Sequence, residues 1–99
     1  MRYSKSLLRE LRNDIPVKWV ITDYLRWPHK VREGIFRFLC PQCSDFHSAI
    51  NSKTNLARCF RCQKNYNPID LLTDGAGIEF KQAVNILEPL LTVFKNGKK

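Results

Sequence analysis

The spacing of apolar residues changes period twice along the chain. Between Tyr3 and Asn13, Leu7, Leu8 and Leu11 recur at helical intervals among Arg9, Glu10 and Arg12, which predicts a short amphipathic helix with a narrow apolar stripe. Asp14 reads as the N-cap of a second helix that opens with Ile15 and Pro16. In it Val17, Val20, Ile21, Tyr24 and Leu25 fall at i, i+3, i+4, i+7 and i+8, and Pro28 bounds it. From Lys30 to Leu39 the period drops to two around Phe36, Arg37, Phe38 and Leu39, with a bend at Gly34. Ser48 to Asn51 and Leu56 to Phe60 flank the polar turn Ser52-Lys53-Thr54-Asn55, so a small antiparallel sheet is expected in the middle of the chain. Asn67 and Pro68 read as cap and first turn of a short helix through Ile69, Leu71 and Leu72 that stops near Gly75 and Gly77. A last helix is expected from about Ile78, burying Phe80, Ala83, Val84 and Leu87 and ending or kinking at Pro89, with Lys95 to Lys99 as a frayed basic tail. The chain thus divides into an N-terminal helix (1–13), a central domain (14–88) and a basic tail (89–99), without internal repeats.

At 99 residues the core must be thin, since a chain this short buries only roughly 60 to 65 % of its unfolded surface, and a covalent or metal staple is expected. Four cysteines are too few for a disulfide-dense secreted scaffold. The first twenty residues carry Arg2, Lys5, Arg9, Arg12 and Lys18 and hold no apolar signal-peptide run. The expected setting is a reducing, cytoplasmic one. No uninterrupted apolar stretch approaches the ~18 residues of a membrane span, so no membrane partner is expected. The formal charge is +8, and it is uneven: residues 1–64 hold thirteen basic and five acidic side chains, residues 65–99 four of each. A positive field over two thirds of the chain favours an anionic partner, nucleic acid first among them.

Cys40-Pro41-Gln42-Cys43 and Cys59-Phe60-Arg61-Cys62 form two C-x2-C knuckles separated by fifteen residues, a spacing suited to zinc. Two residues between cysteines let one tight turn aim both sulfurs at one ion, and two such turns complete a tetrahedron. Four protein ligands leave no open position for water or substrate, so the expected ion is one structural Zn²⁺ held by Cys40, Cys43, Cys59 and Cys62. Four thiolates and Zn²⁺ sum to −2, which lowers the net charge from +8 to about +6. Arg58 and Arg61 flank the second knuckle and offset that local anion. Independent redox dithiols would call for a thioredoxin-like βαβ setting, which the pattern lacks. His29 and His47 are the alternative ligands, and His47 reads instead as a strand-surface residue. Lys30, Arg32, Arg37, Arg58, Arg61 and Lys64 lie in or beside the expected strands, interleaved with Phe36, Phe38, Phe46, Phe60 and Tyr66. Such mixtures bind single strands, cations following phosphates and aromatic faces stacking on bases. Phe36 and Phe60 are expected in the core, with Arg37 and Arg58 as contacts.

These residues resemble the N-terminal zinc-binding domain of bacterial DnaG-type DNA primases. The likeness covers about Ile15 to Leu87. It rests on Leu39-Cys40-Pro41, Arg58-Cys59-Phe60-Arg61-Cys62, Asn67-Pro68-Ile69-Asp70, and Phe80 with Ala83, Val84 and Leu87. It implies a small α+β fold, a zinc ribbon whose short antiparallel sheet carries two knuckles between N-terminal and C-terminal helices. It also implies contact with single-stranded template through Lys30 and Arg32 before the first ligand and through Arg37, Lys53 and Arg58 on or near the sheet. The chain departs from the family in having Cys43 where histidine is usual, a shortened loop around Ser44 to Ser48, and Arg61, Lys64, Asn65 and Tyr66 in place of glycines.

Nine acidic residues scattered singly offer no paired carboxylates for phosphoryl transfer, so the chain is expected to be non-enzymatic, with no small-molecule substrate. The expected function is a zinc-dependent, single-stranded DNA-binding accessory factor for primer synthesis. It would work with a separate polymerase or primase catalytic subunit or a replicative helicase, in a bacterial, phage or plasmid replicon and associated with the nucleoid. Beginning at Met1, it reads either as a separate small protein acting in trans or as a fragment. Two other readings stand beside this one. In the first, an adaptor docks Leu7, Leu11, Trp19 and Trp27 onto a polymerase or helicase around an inert zinc scaffold. The second is a zinc-ribbon transcription factor, which lacks a basic recognition helix here because the last helix offers only Lys81.

Overall fold

A computed structural model of the chain describes residues 3–97. Its first helix, α1 (Lys5–Asn13), starts where the Ser4 hydroxyl accepts the Leu7 N–H at 3.0 Å, and it turns Leu11 fully inward. Asp14 closes this helix instead of opening the next. Its backbone is right-handed (φ −98°, ψ −13°) and its N–H donates to the Glu10 carbonyl at 2.8 Å. The second helix, α2 (Val17–Trp19), follows Pro16 and widens into a π-type turn over Val20–Tyr24. Its first N–H, on Val17, is capped by the Asn55 side chain, 38 residues away (3.0 Å). The same amide donates to the carbonyls of Arg12 and Ile15, each at 2.7 Å, and Asn55 itself adopts φ +54°. A cap supplied from a distant turn leaves no local signal, which is why Asp14 mimics one.

Two strands, β1 (His29–Arg32) and β2 (Ile35–Phe38), form an antiparallel hairpin around Glu33 (φ +53°) and Gly34 (φ +78°), the doubly left-handed turn that matches strand twist. Three more, β3 (Ser48–Asn51), β4 (Leu56–Cys59) and β5 (Lys64–Tyr66), form a separate antiparallel sheet in that order. The expected single sheet is therefore two. At the seam the Ser48 hydroxyl accepts the Phe38 N–H (2.9 Å) and donates to the Phe38 carbonyl (2.7 Å), while Arg37 Nη1 donates to the Ser48 carbonyl (3.0 Å). Side chains thus replace a ladder, and the fully buried Ser48 is satisfied.

Helix α3 (Pro68–Asp70) opens at the cap expected at Asn67, and Asp70 completes it as a capping box. The Asp70 N–H donates to Asn67 Oδ1 (2.8 Å) and the Asn67 N–H to Asp70 Oδ2 (3.3 Å). It widens over Leu71–Gly75, where Gly75 lies so close to the Trp27 indole that a Cβ would collide with it. Helix α4 (Phe80–Gly97) does not end at Pro89. The proline deprives the Asn85 carbonyl of its usual donor, but Pro89 and Asn85 both face solvent, where water serves instead. Leu87, Leu91 and Phe94 meanwhile continue the inward stripe, Phe94 meeting Trp19 edge-on at 5.2 Å. The backbone of Lys95 to Gly97 is helical and not a tail; Lys98 and Lys99 lie outside the described residues. Phe80 is 47 % exposed, not buried, and meets Tyr3 edge-on at 5.9 Å. The core joins the helices to the inner faces of the sheets through Leu11, Ile15, Ile21, Phe38, Tyr66 and Leu72. Leu7, Trp19 and Trp27 pack against this core and Leu11 lies within it, so substituting them would disturb folding as well as any docking. No described helix is long and apolar enough to cross a membrane.

Candidate metal centre

Cys40 follows β2 and Cys59 ends β4, and both are fully buried, whereas Cys43 and Cys62 sit one turn further out and are partly exposed. The first turn is closed by the Ser44 N–H on the Cys40 carbonyl (2.8 Å) and the Cys40 N–H on the Asp45 carbonyl (2.9 Å). In the second, the Phe60 N–H donates to the His47 carbonyl (2.9 Å) and the Cys62 N–H reaches Cys59 Sγ (3.4 Å). Each knuckle leaves through a left-handed residue directly after its second cysteine, Ser44 (φ +56°) and Gln63 (φ +55°). Two turns of the same hand thus face one another.

All four sulfurs lie within 4.8 Å of one another. The close pairs run between knuckles, Cys40 to Cys62 at 3.8 Å and Cys43 to Cys59 at 3.6 Å. A regular tetrahedron with metal–sulfur bonds of ~2.3 Å has edges of about 3.8 Å, so these two pairs stand near the separation one ion requires and the remaining pairs lie within 4.8 Å. A disulfide would need sulfurs at ~2.05 Å, and all four cysteines are free. The cluster could hold one metal ion, and four soft thiolates suit Zn²⁺ among those available. Neither histidine joins it. His29 Nδ1 meets the Trp27 carbonyl (3.0 Å) and the ring stacks on Phe36, while the His47 ring packs on Phe60 at 5.7 Å.

Electrostatics within the cluster bears on how an ion would enter it. Burial alone would raise the Cys40 thiol, but N–H groups of Cys43 and Gln42 and the thiols of Cys59 and Cys43 bring it down to about 7. Burial and the neighbouring thiols push Cys62 up to about 12, and burial and Cys59 also raise Cys43. Burial and hydrogen bonding among the thiols therefore keep protons on Cys43 and Cys62 until a cation replaces them. The metal-free fold, with raised thiols, loses stability as pH climbs from the ordinary thiol value of 9.0 toward about 12. The metal-loaded fold loses it in the opposite direction, because protons compete for the ligands. At neutral pH metal entry must displace at least the protons of Cys43 and Cys62. Chelator competition at pH 6 and pH 7 should accordingly show apparent affinity falling by about 100-fold or more per unit of acidification. An affinity unchanged over that interval would contradict the thiolate assignment.

The two knuckles are strapped together outside the cluster, where Arg61 Nη1 donates to Asp45 Oδ2 at 3.0 Å. The Arg61 hydrogen bond holds the Asp45 carboxyl below the usual range, and Asp45, with the charges of Cys43 and Cys62, raises Arg61 further. The pair is exposed, so solvent screens most of its direct contribution to stability.

The basic residues sort into two groups. Lys30, Arg32 and Arg37 line one open notch of about 310 Å³ with Asp45, Phe46 and His47. Arg58 lies beyond it on the outer face of the second sheet, its guanidinium 5.8 Å from the Phe60 ring and Nη1 bonded to Asn65 (3.1 Å). There Ala49, Leu56, Arg58, Phe60 and Asn65 line a shallow depression of about 380 Å³. His47 joins the two hollows by lining the notch and packing on Phe60. Three other residues are not gathered there. Lys53 stands in the β3–β4 turn, Arg61 is held by Asp45, and Lys64 pairs with Asp74 at 3.2 Å and leans over Tyr66. Phe60, expected in the core, is 43 % exposed, because a residue inside a knuckle points away from the sulfurs. Phe36 is partly buried between the core and Lys18, whose Nζ lies 5.4 Å from its ring centre. Fold and cluster together define a small α+β protein with two short antiparallel sheets and a four-cysteine centre able to bind a metal ion. No family model and no curated protein matches the chain.

Proposed function

We propose that this protein is a non-enzymatic, zinc-stabilised single-stranded DNA-binding factor built as a zinc ribbon with flanking helices. The ribbon is of the type found at the N-terminus of bacterial primases, and it presents template to a separate polymerase or primase subunit. The observation that carries this reading is the exposed Phe60, bracketed by Arg58 and His47 and continuous with the notch of Lys30, Arg32 and Arg37. An exposed aromatic face beside cations is what a flexible strand needs. Bases stack on the ring at ~1 to 3 kcal/mol each, and phosphates lie along the positive groups. Zinc acts at one remove by holding Cys59 and Cys62, the residues on either side of Phe60 and Arg61.

In the metal-loaded protein, affinity for a short single-stranded oligonucleotide should fall with salt at a slope of roughly −0.7 per neutralised phosphate. For four cations that is roughly −3. Arg32→Ala and Arg58→Ala should each flatten the slope by about 0.7; Arg37 is a poorer probe because it also bonds the Ser48 carbonyl. Phe60→Ala should weaken binding at every salt concentration without changing the slope. Salt-independent binding, or preference for duplex over single strands, would overturn this reading.

A further inference from the structure

We propose that the notch between the β1–β2 hairpin and the segment leading into β3 is a seat for a phosphomonoester, the terminal phosphate of a nucleic acid strand or of a free nucleotide. This rests on the single-strand reading above and divides that face into two subsites.

Strand register gathers the positive charges of this notch. Lys30 stands directly opposite Arg37 across the ladder, and Arg32, two residues along, projects on the same face. Like charges facing each other across an antiparallel pair repel, and sequences ordinarily place an acid between them. Among the described residues none of these three cations makes an ion pair. The acid that lines the notch, Asp45, is already bonded to Arg61. The cations are also partly fixed. Lys30 Nζ lies 4.6 Å from the Phe46 ring centre, and Arg37 is tied through Nη1 to the Ser48 carbonyl, leaving its other N–H groups to donate. A bound anion would turn this repulsion into attraction.

Charge then selects the anion. A diester phosphate within a strand carries one negative charge and offers two free oxygens, which one cation such as Arg58 matches. A phosphomonoester carries about −1.5 to −2 at neutral pH and offers three acceptor oxygens, which the trio of Lys30, Arg32 and Arg37 matches. The depression at Arg58 and Phe60 thus suits an internal diester and a stacked base, and the notch suits a terminus.

The test uses the full-length, metal-loaded protein and fluorescence anisotropy on one short single strand bearing a 5′-hydroxyl, a 5′-phosphate or a 3′-phosphate. One phosphorylated form should bind about tenfold tighter than the unphosphorylated strand, the scale of one charge-assisted contact set. In Lys30→Gln and Arg32→Gln that ratio should fall towards one, whereas in Arg58→Ala it should persist although both affinities drop. Competition by adenosine 5′-monophosphate as effective as by the phosphorylated strand would assign the seat to a free nucleotide. Weak competition beside a retained ratio would assign it to the strand end. Equal binding of all three strands would overturn the phosphomonoester seat and leave the single-strand reading intact. Failure of every strand to bind would overturn both.

Discussion

Cys59→Ser is expected to leave the protein unfolded at room temperature, as is chelation of the metal ion that the four cysteines would hold. Cys59 is fully buried, supplies one of the four sulfurs, and anchors β4 between Ser48 on β3 and Lys64 on β5. A four-thiolate site contributes on the order of 10 kcal/mol of apparent binding free energy, while the whole stability of a domain is about 5 to 15 kcal/mol. In a chain of 99 residues with a thin core, losing the ion therefore removes most of the margin. Far-ultraviolet circular dichroism of the variant, and of the native chain after chelation, should show loss of cooperative melting. Cys43→His separates ligand loss from sequence change. Cys43 is partly exposed, and imidazole is an acceptable fourth donor, so this variant should keep one metal and its cooperative transition. A Cys59→Ser protein melting cooperatively within about 1 kcal/mol of native would show that the cluster does not hold the fold.

Asn55→Ala should have a large effect for a polar substitution away from the cysteines. One side chain accepts the first free N–H of α2 and donates to two carbonyls at the α1–α2 junction, joining both helices to the β3–β4 turn. Two buried hydrogen bonds and one partly buried one at about 1 kcal/mol each, together with a left-handed backbone that alanine tolerates poorly, give a cost of about 3 to 4 kcal/mol. For a domain of this size that corresponds to a melting temperature lower by roughly 15 to 25 °C. Asn55→Asp sharpens the prediction, since it keeps the acceptor for Val17 but sets a carboxylate oxygen against the carbonyls of Arg12 and Ile15. It should be no better than alanine. Urea unfolding of the metal-loaded proteins measures both, and a loss below about 1 kcal/mol in each would mean the clamp is not structural.

What the sequence reveals about this molecule depends on how local its causes are. The knuckles announce themselves through C-x2-C, and the capping box through Asn67, Pro68 and Asp70, because donor and acceptor are a few residues apart. The Glu33-Gly34 turn and the β3–β4 hairpin are legible for the same reason. Asp14 misleads because the group that caps α2 arrives from Asn55. The seam between the two sheets depends on the Ser48 hydroxyl, which no periodicity reveals. Strand β5 is only three residues, Lys64-Asn65-Tyr66, with no apolar alternation, and it exists because β4 offers it an edge. Pro89 reads as a stop until its exposed position shows that water can serve the carbonyl it strands. At the candidate interface the residue types were visible, but their grouping was not. Register puts Lys30, Arg32 and Arg37 on one face, whereas tertiary contacts engage Arg61 and Lys64 with Asp45 and Asp74.

The most direct test of the account is native mass spectrometry of protein purified without added metal or chelator. The expected result is a single folded species carrying one zinc ion, with the thiol protons displaced by the metal, that loses both ion and fold on acidification. A folded, monodisperse chain with four free thiols and no stoichiometric metal would contradict it.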